Sequence, residues 1–168
     1  MENEKIEIEV LGSGNNKLGI VFIGEAPGAE EIEKGQPFQG VAGGKLDELL
    51  NGIKVKRDDV YITNVVKIRP TKKSKKGNVI NRPPKKDEIE KYRPFLENEL
   101  KEKKPKLIVT LGNKALQHFC QGAKIGDKHG EPFKYKEWTI LPLYHPSPLN
   151  FNNLKTLEED FQKIKEYL

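Results

Sequence analysis

Leu18-Gly19-Ile20-Val21-Phe22-Ile23 runs straight into Gly24-Glu25-Ala26-Pro27-Gly28. An apolar run with β-branched and aromatic residues, closed by a breaker-rich loop, predicts a buried strand. Val60-Tyr61-Ile62-Thr63, continuing into Asn64-Val65-Val66, and Leu107-Ile108-Val109-Thr110-Leu111 repeat the pattern. Between these runs the period changes. Val41, Leu46, Leu49 and Leu50 fall on one helical face over residues 41–51. Ile89, Tyr92, Phe95, Leu96 and Leu100 do the same over 85–103, with Pro94 expected to kink that helix or end it early. Residues 113–120 and 154–168 read as further helices, 131–135 and 138–143 as strands joined by a tight turn, and 5–10 (KIEIEV) as an exposed strand. The alternation predicts an α/β fold, a three-layer α/β/α sandwich with a central, mainly parallel four-stranded sheet, in one domain spanning 1–168.

The chain has 168 residues, enough for one domain that buries roughly 70% of its unfolded surface. No stretch approaches the roughly 20 apolar residues of a membrane helix, so no membrane partner is expected. The start, MENEKIEIEV, lacks the basic head and apolar run of a secretory signal. A single cysteine excludes an internal disulfide or a cysteine-cluster metal site within one chain, and the expected location is cytoplasmic.

Charge is unevenly spread. Residues 67–86 hold nine basic residues and no acidic one, whereas the other 21 basic residues face all 25 acidic ones. Such a run is either a solvated loop or a contact for a phosphate backbone, and composition leaves both open.

In open parallel sheets, ligands sit at the carboxyl ends of the strands. That rule selects Gly24–Gly28, Asn64–Arg69 and His145–Asn150. The first fits neither the dinucleotide fingerprint nor the P-loop. It reads as a strand-to-helix turn or as a close approach of backbone to ligand. Asn64 offers one acceptor and two donors, the complement of a uracil edge, or it ties down a loop. His145 opens His-Pro-Ser-Pro-Leu-Asn, where two prolines stiffen the frame of an imidazole. Leu149 then stands at an exposed tip. His118 and His129 read as structural, and Cys120 as a small buried hydrophobe.

The segments GEAPGAEE (24–31), GQPFQGVAGGKLDELL (35–50), VYITNVVKIRP (60–70), NRPPKKDEI (81–89), YRPFLENEL (92–100), PKLIVTLG (105–112) and LPLYHPSPLN (141–150) together resemble the uracil-DNA glycosylase superfamily, above all its family 4. The resemblance spans about residues 18–160. It implies a monofunctional DNA-repair hydrolase that flips uracil out of DNA, cuts its N-glycosidic bond, and releases free uracil beside an abasic site. It implies Phe38 stacking on the base, Asn64 reading its O4 and N3 edge, and Gly24, Ala26 and Pro27 bordering the pocket. Glu31 would stand near uracil C5. His145 would donate to O2 as charge develops there. Some branches place an Asp where this chain has Ala26, which leaves Glu25 to position water or to stabilise the sugar cation. Leu149 would be the wedge, and Lys67, Arg69, Arg82 and Ser147 would contact DNA. A monomer is expected.

Family 4 enzymes usually hold a [4Fe–4S] cluster on four cysteines. Ile68 and Tyr92 occupy two of those positions here, and the N-terminal pair is missing, so no cofactor is expected. A glycosylase for another deaminated base, such as hypoxanthine or xanthine, and a catalytically weak DNA-binding or uracil-sensing module are the alternatives.

Overall fold

The computed structural model describes residues 7–168. Among these residues, seven strands form two sheets: β1 (Ile20–Gly24), β2 (Tyr61–Asn64), β3 (Thr71–Lys73), β4 (Val79–Asn81), β5 (Leu107–Leu111), β6 (Phe133–Tyr135) and β7 (Trp138–Leu143). The main sheet has the order β2-β1-β5-β7-β6. Its first four strands are parallel, and β6 pairs antiparallel with β7 at the edge. The sheet is therefore mixed and five-stranded rather than four-stranded. The tight turn after Tyr135, with Lys136 in the left-handed region, folds a short fifth strand back onto β7.

Helices α1 (Ala29–Lys34), α2 (Val41–Gly52), α3 (Lys86–Lys103), α4 (Asn113–Phe119), α5 (Ile125–Lys128) and α6 (Leu154–Phe161) flank the sheet. Side chains of a strand alternate between faces. Ile20, Phe22, Ile62, Val109 and Leu141 accordingly pack with Leu46 and Leu50 of α2 and Leu157 and Phe161 of α6. Val21, Ile23, Tyr61, Ile108 and Ile140 pack with Leu96 and Leu100 of α3 and Ala115 of α4. Two apolar faces explain why the central strands carry no polar alternation.

Other expectations are corrected. α3 runs on through Pro94, which stands with Glu90 on the exposed face, where water can serve a carbonyl that loses its intrahelical donor. Phe95 is on that outer side as well, 43% exposed. The terminal α-helix stops at Phe161 and tightens into a 3-10 segment over Gln162–Tyr167. Of the expected strand at 5–10, residues 5 and 6 lie outside the described residues, and 7–10 form no strand. The basic segment contains a hairpin, β3 with β4, turned at Gly77 in the left-handed region. A two-stranded hairpin is marginal alone. Arg82 clasps its base, donating from Nε to the Thr71 carbonyl at 2.9 Å while gripping Glu88 at 2.7 and 3.0 Å.

Candidate active site

The parallel register sets Gly24 beside Asn64 at the ends of β1 and β2. At the same, carboxyl, edge of the sheet, Leu111 of β5 pairs with Leu143 of β7, two residues before His145. The ends of three of these strands, β1, β2 and β7, thus lead into one cavity of about 350 Å³, whose walls include Ala26, Glu31, Phe38, Asn64 and His145. Phe38 and His145 face each other with ring centroids 5.8 Å apart and planes inclined by 30°. Asn64 is 3% exposed.

Two glycines make this arrangement possible. A Cβ on Gly24 would stand 2.5 Å from both the Phe38 ring and Asn64 Oδ1. A Cβ on Gly43 would collide with the Phe38 carbonyl at 1.9 Å. Phe38 itself has φ of 53°, a left-handed conformation that a bulky residue adopts only when its surroundings force it. Strain of this kind concentrates at functional sites.

Glu31 is what holds the strained loop. Its Oε2 accepts the N–H groups of Gln39 at 2.7 Å and Gly40 at 2.9 Å, and its Oε1 accepts that of Gly28 at 2.8 Å. Burial pushes its carboxyl up, but the N–H groups of Gln39, Gly28 and Gly40 together outweigh that and hold it below the usual range. The carboxylate therefore staples the loop after β1 to the loop carrying Phe38.

A second cleft of about 490 Å³ adjoins the cavity and shares His145 as a wall; Glu25, Lys114, Ser147 and Asn150 line it. Burial raises the Glu25 carboxyl, and the charge of Lys114 opposes the rise. Burial lowers His145, which favours its neutral imidazole over the cation. The His145 loop is braced from within. Asn150 donates from Nδ2 to the His145 carbonyl at 3.0 Å and from its backbone N–H to the Ser147 carbonyl at 2.9 Å. Leu149 at its tip is 95% exposed.

The structure sorts the expected residues. Ala26, Glu31, Phe38, Asn64 and His145 share the cavity, Glu25 and Ser147 lie next door, Gly24 backs Phe38 and Asn64, and Pro27 is buried outside the cavity lining. One expected DNA contact is corrected, and a second is engaged within the protein. Lys67 is 0% exposed and paired with Glu99, so it cannot meet a phosphate. Arg82 spends its guanidinium on Glu88 and the hairpin. Arg69 donates from Nε to Asn81 Oδ1 at 2.7 Å. Lys72, Lys73, Lys75 and Lys76 are exposed. His118 and His129 bond Glu97 at 3.0 Å and Asp160 at 2.7 Å, which fits the structural roles expected of them.

Sequence reasoning missed Asn81, which the hairpin delivers into the cavity wall, and Lys114, which faces Glu25 from α4. Neither sits in a motif of its own. The Asn-Arg-Pro-Pro segment was the one available signal for Asn81.

An iron–sulfur cluster on cysteines needs four thiolates. Ile68 and Tyr92 instead join one apolar cluster with Val65, Val66 and Leu96, and the Tyr92 hydroxyl donates to Glu9 at 2.9 Å. The lone Cys120, expected to be buried, is instead partly exposed, because it caps the end of α4 rather than packing on its inner face. These residues do not fit a cluster. Among the described residues no group of three or more His, Cys, Asp or Glu side chains could hold a metal ion.

Residues 11–168 match the family model described as the uracil DNA glycosylase superfamily. A type-4 uracil-DNA glycosylase of Sulfurisphaera tokodaii is 41% identical over 94% of this chain and 73% of its own length. Another of Saccharolobus solfataricus is 40% identical over 95% and 76%, and one of Archaeoglobus fulgidus 38% over 94% and 80%.

Proposed function

The chain belongs to the uracil-DNA glycosylase superfamily, and on that premise we propose how its cavity excises uracil from DNA. The activity is hydrolysis of the bond between uracil N1 and deoxyribose C1′. The base cannot be reached inside a duplex, so it is flipped into the cavity. The observation that carries the reading is the convergence of Phe38, Asn64 and His145 on one small cavity at three strand ends.

Phe38 stacks on the flipped base. The Asn64 amide accepts from uracil N3–H and donates to O4. Cytosine reverses both groups and would leave buried polar atoms unpaired, a penalty that supports strong discrimination. As the C1′–N1 bond breaks, its electrons go to the base, and negative charge collects on O2. The neutral His145 imidazole donates a hydrogen bond there, a preorganised contribution typically about 3–4 kcal/mol for one such donor. The sugar is left oxocarbenium-like. Glu25, in the adjoining cleft, stabilises that cation or accepts a proton from the water that attacks C1′. Free uracil and an abasic site result. Glu31 keeps the pocket loops in place beside the base and bounds the room at C5.

DNA approaches across the face formed by the His145 loop and the hairpin. Leu149 inserts into the gap left by the flipped base, and an exposed leucine with no intramolecular partner suits that task. Ser147, Arg69 and the hairpin lysines meet the phosphates. Lys67 and Arg82 support that surface from behind.

The test is cleavage of matched oligonucleotides carrying uracil, hypoxanthine, xanthine or thymine, followed by alkaline scission at abasic sites. Cleavage at uracil alone is expected. Cleavage at a purine lesion would reassign the cavity to another deaminated base. Salt-sensitive DNA binding without cleavage would make the protein a recognition module.

A further inference from the structure

β2 ends in Thr63 and Asn64, and Lys67 folds back beneath both. Its Nζ donates to the Asn64 carbonyl at 2.6 Å and to Thr63 Oγ1 at 2.7 Å, and lies 2.5 Å from Glu99 Oε1. The second Glu99 oxygen accepts from the Tyr61 hydroxyl at 2.6 Å and from Thr63 Oγ1 at 3.0 Å. The Phe95 ring centroid lies 5.5 Å from the ammonium. Lys67 and Glu99 are 0% and 8% exposed. The ammonium thus has three oxygen partners, and one of them is the main chain of the residue that faces the base.

A buried ion pair is weak evidence for stability, since desolvation offsets its attraction. Apolar residues of similar volume could fill the same space between β2 and α3. They could not donate to a carbonyl. The turn after Asn64 is also strapped to the pocket loop, because Val65 N–H donates to the Gly24 carbonyl and Val66 N–H to the Glu25 carbonyl. Lys67 closes this turn from below, and α3 supplies the anchor through Glu99.

We infer that Lys67 is a positioning residue for base recognition: seated on Glu99, its ammonium fixes the Asn64 main chain and so sets the angle at which the Asn64 amide meets uracil. The inference rests on the reading of Asn64 as the base reader. Binding constellations tolerate displacements of only about 0.5 Å, and a misplacement of about 1 Å costs on the order of 10²-fold in rate.

The experiment compares three neutralised variants by single-turnover cleavage of a uracil oligonucleotide and by binding to abasic-site DNA. Wild type is the reference, and Glu99→Gln alone, which keeps an acceptor for Tyr61 but withdraws the charge that seats Lys67, reports the cost of losing the anchor. Lys67→Met/Glu99→Gln removes both charges and the donor to Asn64. Lys67→Gln/Glu99→Gln removes both charges but restores an N–H donor. Thermal melting establishes that each is folded. Relative to the reference, the Met variant is expected to cleave about 10–100-fold more slowly, with abasic-site affinity within about twofold. The Gln variant is expected to regain most of the loss. Equal rates in the Met and Gln variants, or a Met variant as fast as the reference, would overturn the inference. Asn64→Asp is measured in parallel. If it loses uracil cleavage while the Met variant does not, only the role of Lys67 fails. If Asn64→Asp cleaves uracil normally, the reading of Asn64 fails and the inference falls with it.

Discussion

Lys67 and Lys75 belong to the same basic stretch, eight positions apart, yet one is sealed between β2 and α3 and the other stands free on a hairpin. The buried amine has three oxygen partners within hydrogen-bond distance. Lys72, Lys73, Lys75 and Lys76 stand exposed in the hairpin. The difference teaches that a charge run is not one feature. Its first member sits behind the candidate base pocket, and its middle members face outward, where a phosphate backbone can reach them.

The contrast is sharpest in stability. Lys67→Met leaves Glu99 buried and unpaired and is expected to cost about 3–5 kcal/mol in a urea titration. Lys75→Met is expected to change stability by no more than about 0.5 kcal/mol. Comparable losses would erase the distinction.

The two clefts around His145 give a second contrast. Glu25 is raised by burial and lowered by Lys114, whereas Glu31 is held low by backbone N–H groups. Glu25 must be ionised to act, so cleavage is expected to fall as pH drops through a value above the ordinary carboxylate range. Lys114→Met removes the opposing charge and should move that fall to higher pH; Glu25→Gln should flatten it. The pH–rate profiles of the three proteins decide this, and an acid limb unchanged in both variants would remove Glu25 from the reaction.

A smaller effect is expected at the hairpin. Replacing Lys72, Lys73, Lys75 and Lys76 with Gln should flatten the dependence of log affinity on log salt, by about 0.9 for each duplex phosphate that is no longer neutralised. Cleavage at saturating enzyme and low salt should stay near wild type. A slope indifferent to all four would make the hairpin a bystander.

Periodicity carried much of this fold. β1, β2 and β5 were legible because both their faces meet apolar helices, which leaves an uninterrupted apolar run. The hairpin was not, since Thr71–Lys73 and Val79–Asn81 are three residues each and bury nothing. Pro94 misled because a proline's damage to a helix depends on whether the affected carbonyl faces water, which spacing does not reveal. At the site, Phe38, Asn64 and His145 were legible through motif order. The burial of Lys67 was not, because its partner Glu99 lies 32 residues along the chain on α3. Asn81 and Lys114 reach the site through tertiary packing of the hairpin and α4.

The central claim is that the cavity at the three strand ends performs the chemistry, with His145 as donor to the departing base. Its most direct test is His145→Ala, assayed for single-turnover cleavage of a uracil oligonucleotide and for affinity to the same DNA. The account predicts a cleavage rate lower by about 10²–10³ with DNA affinity nearly unchanged. A rate equal to wild type, or a loss confined to binding, would contradict it.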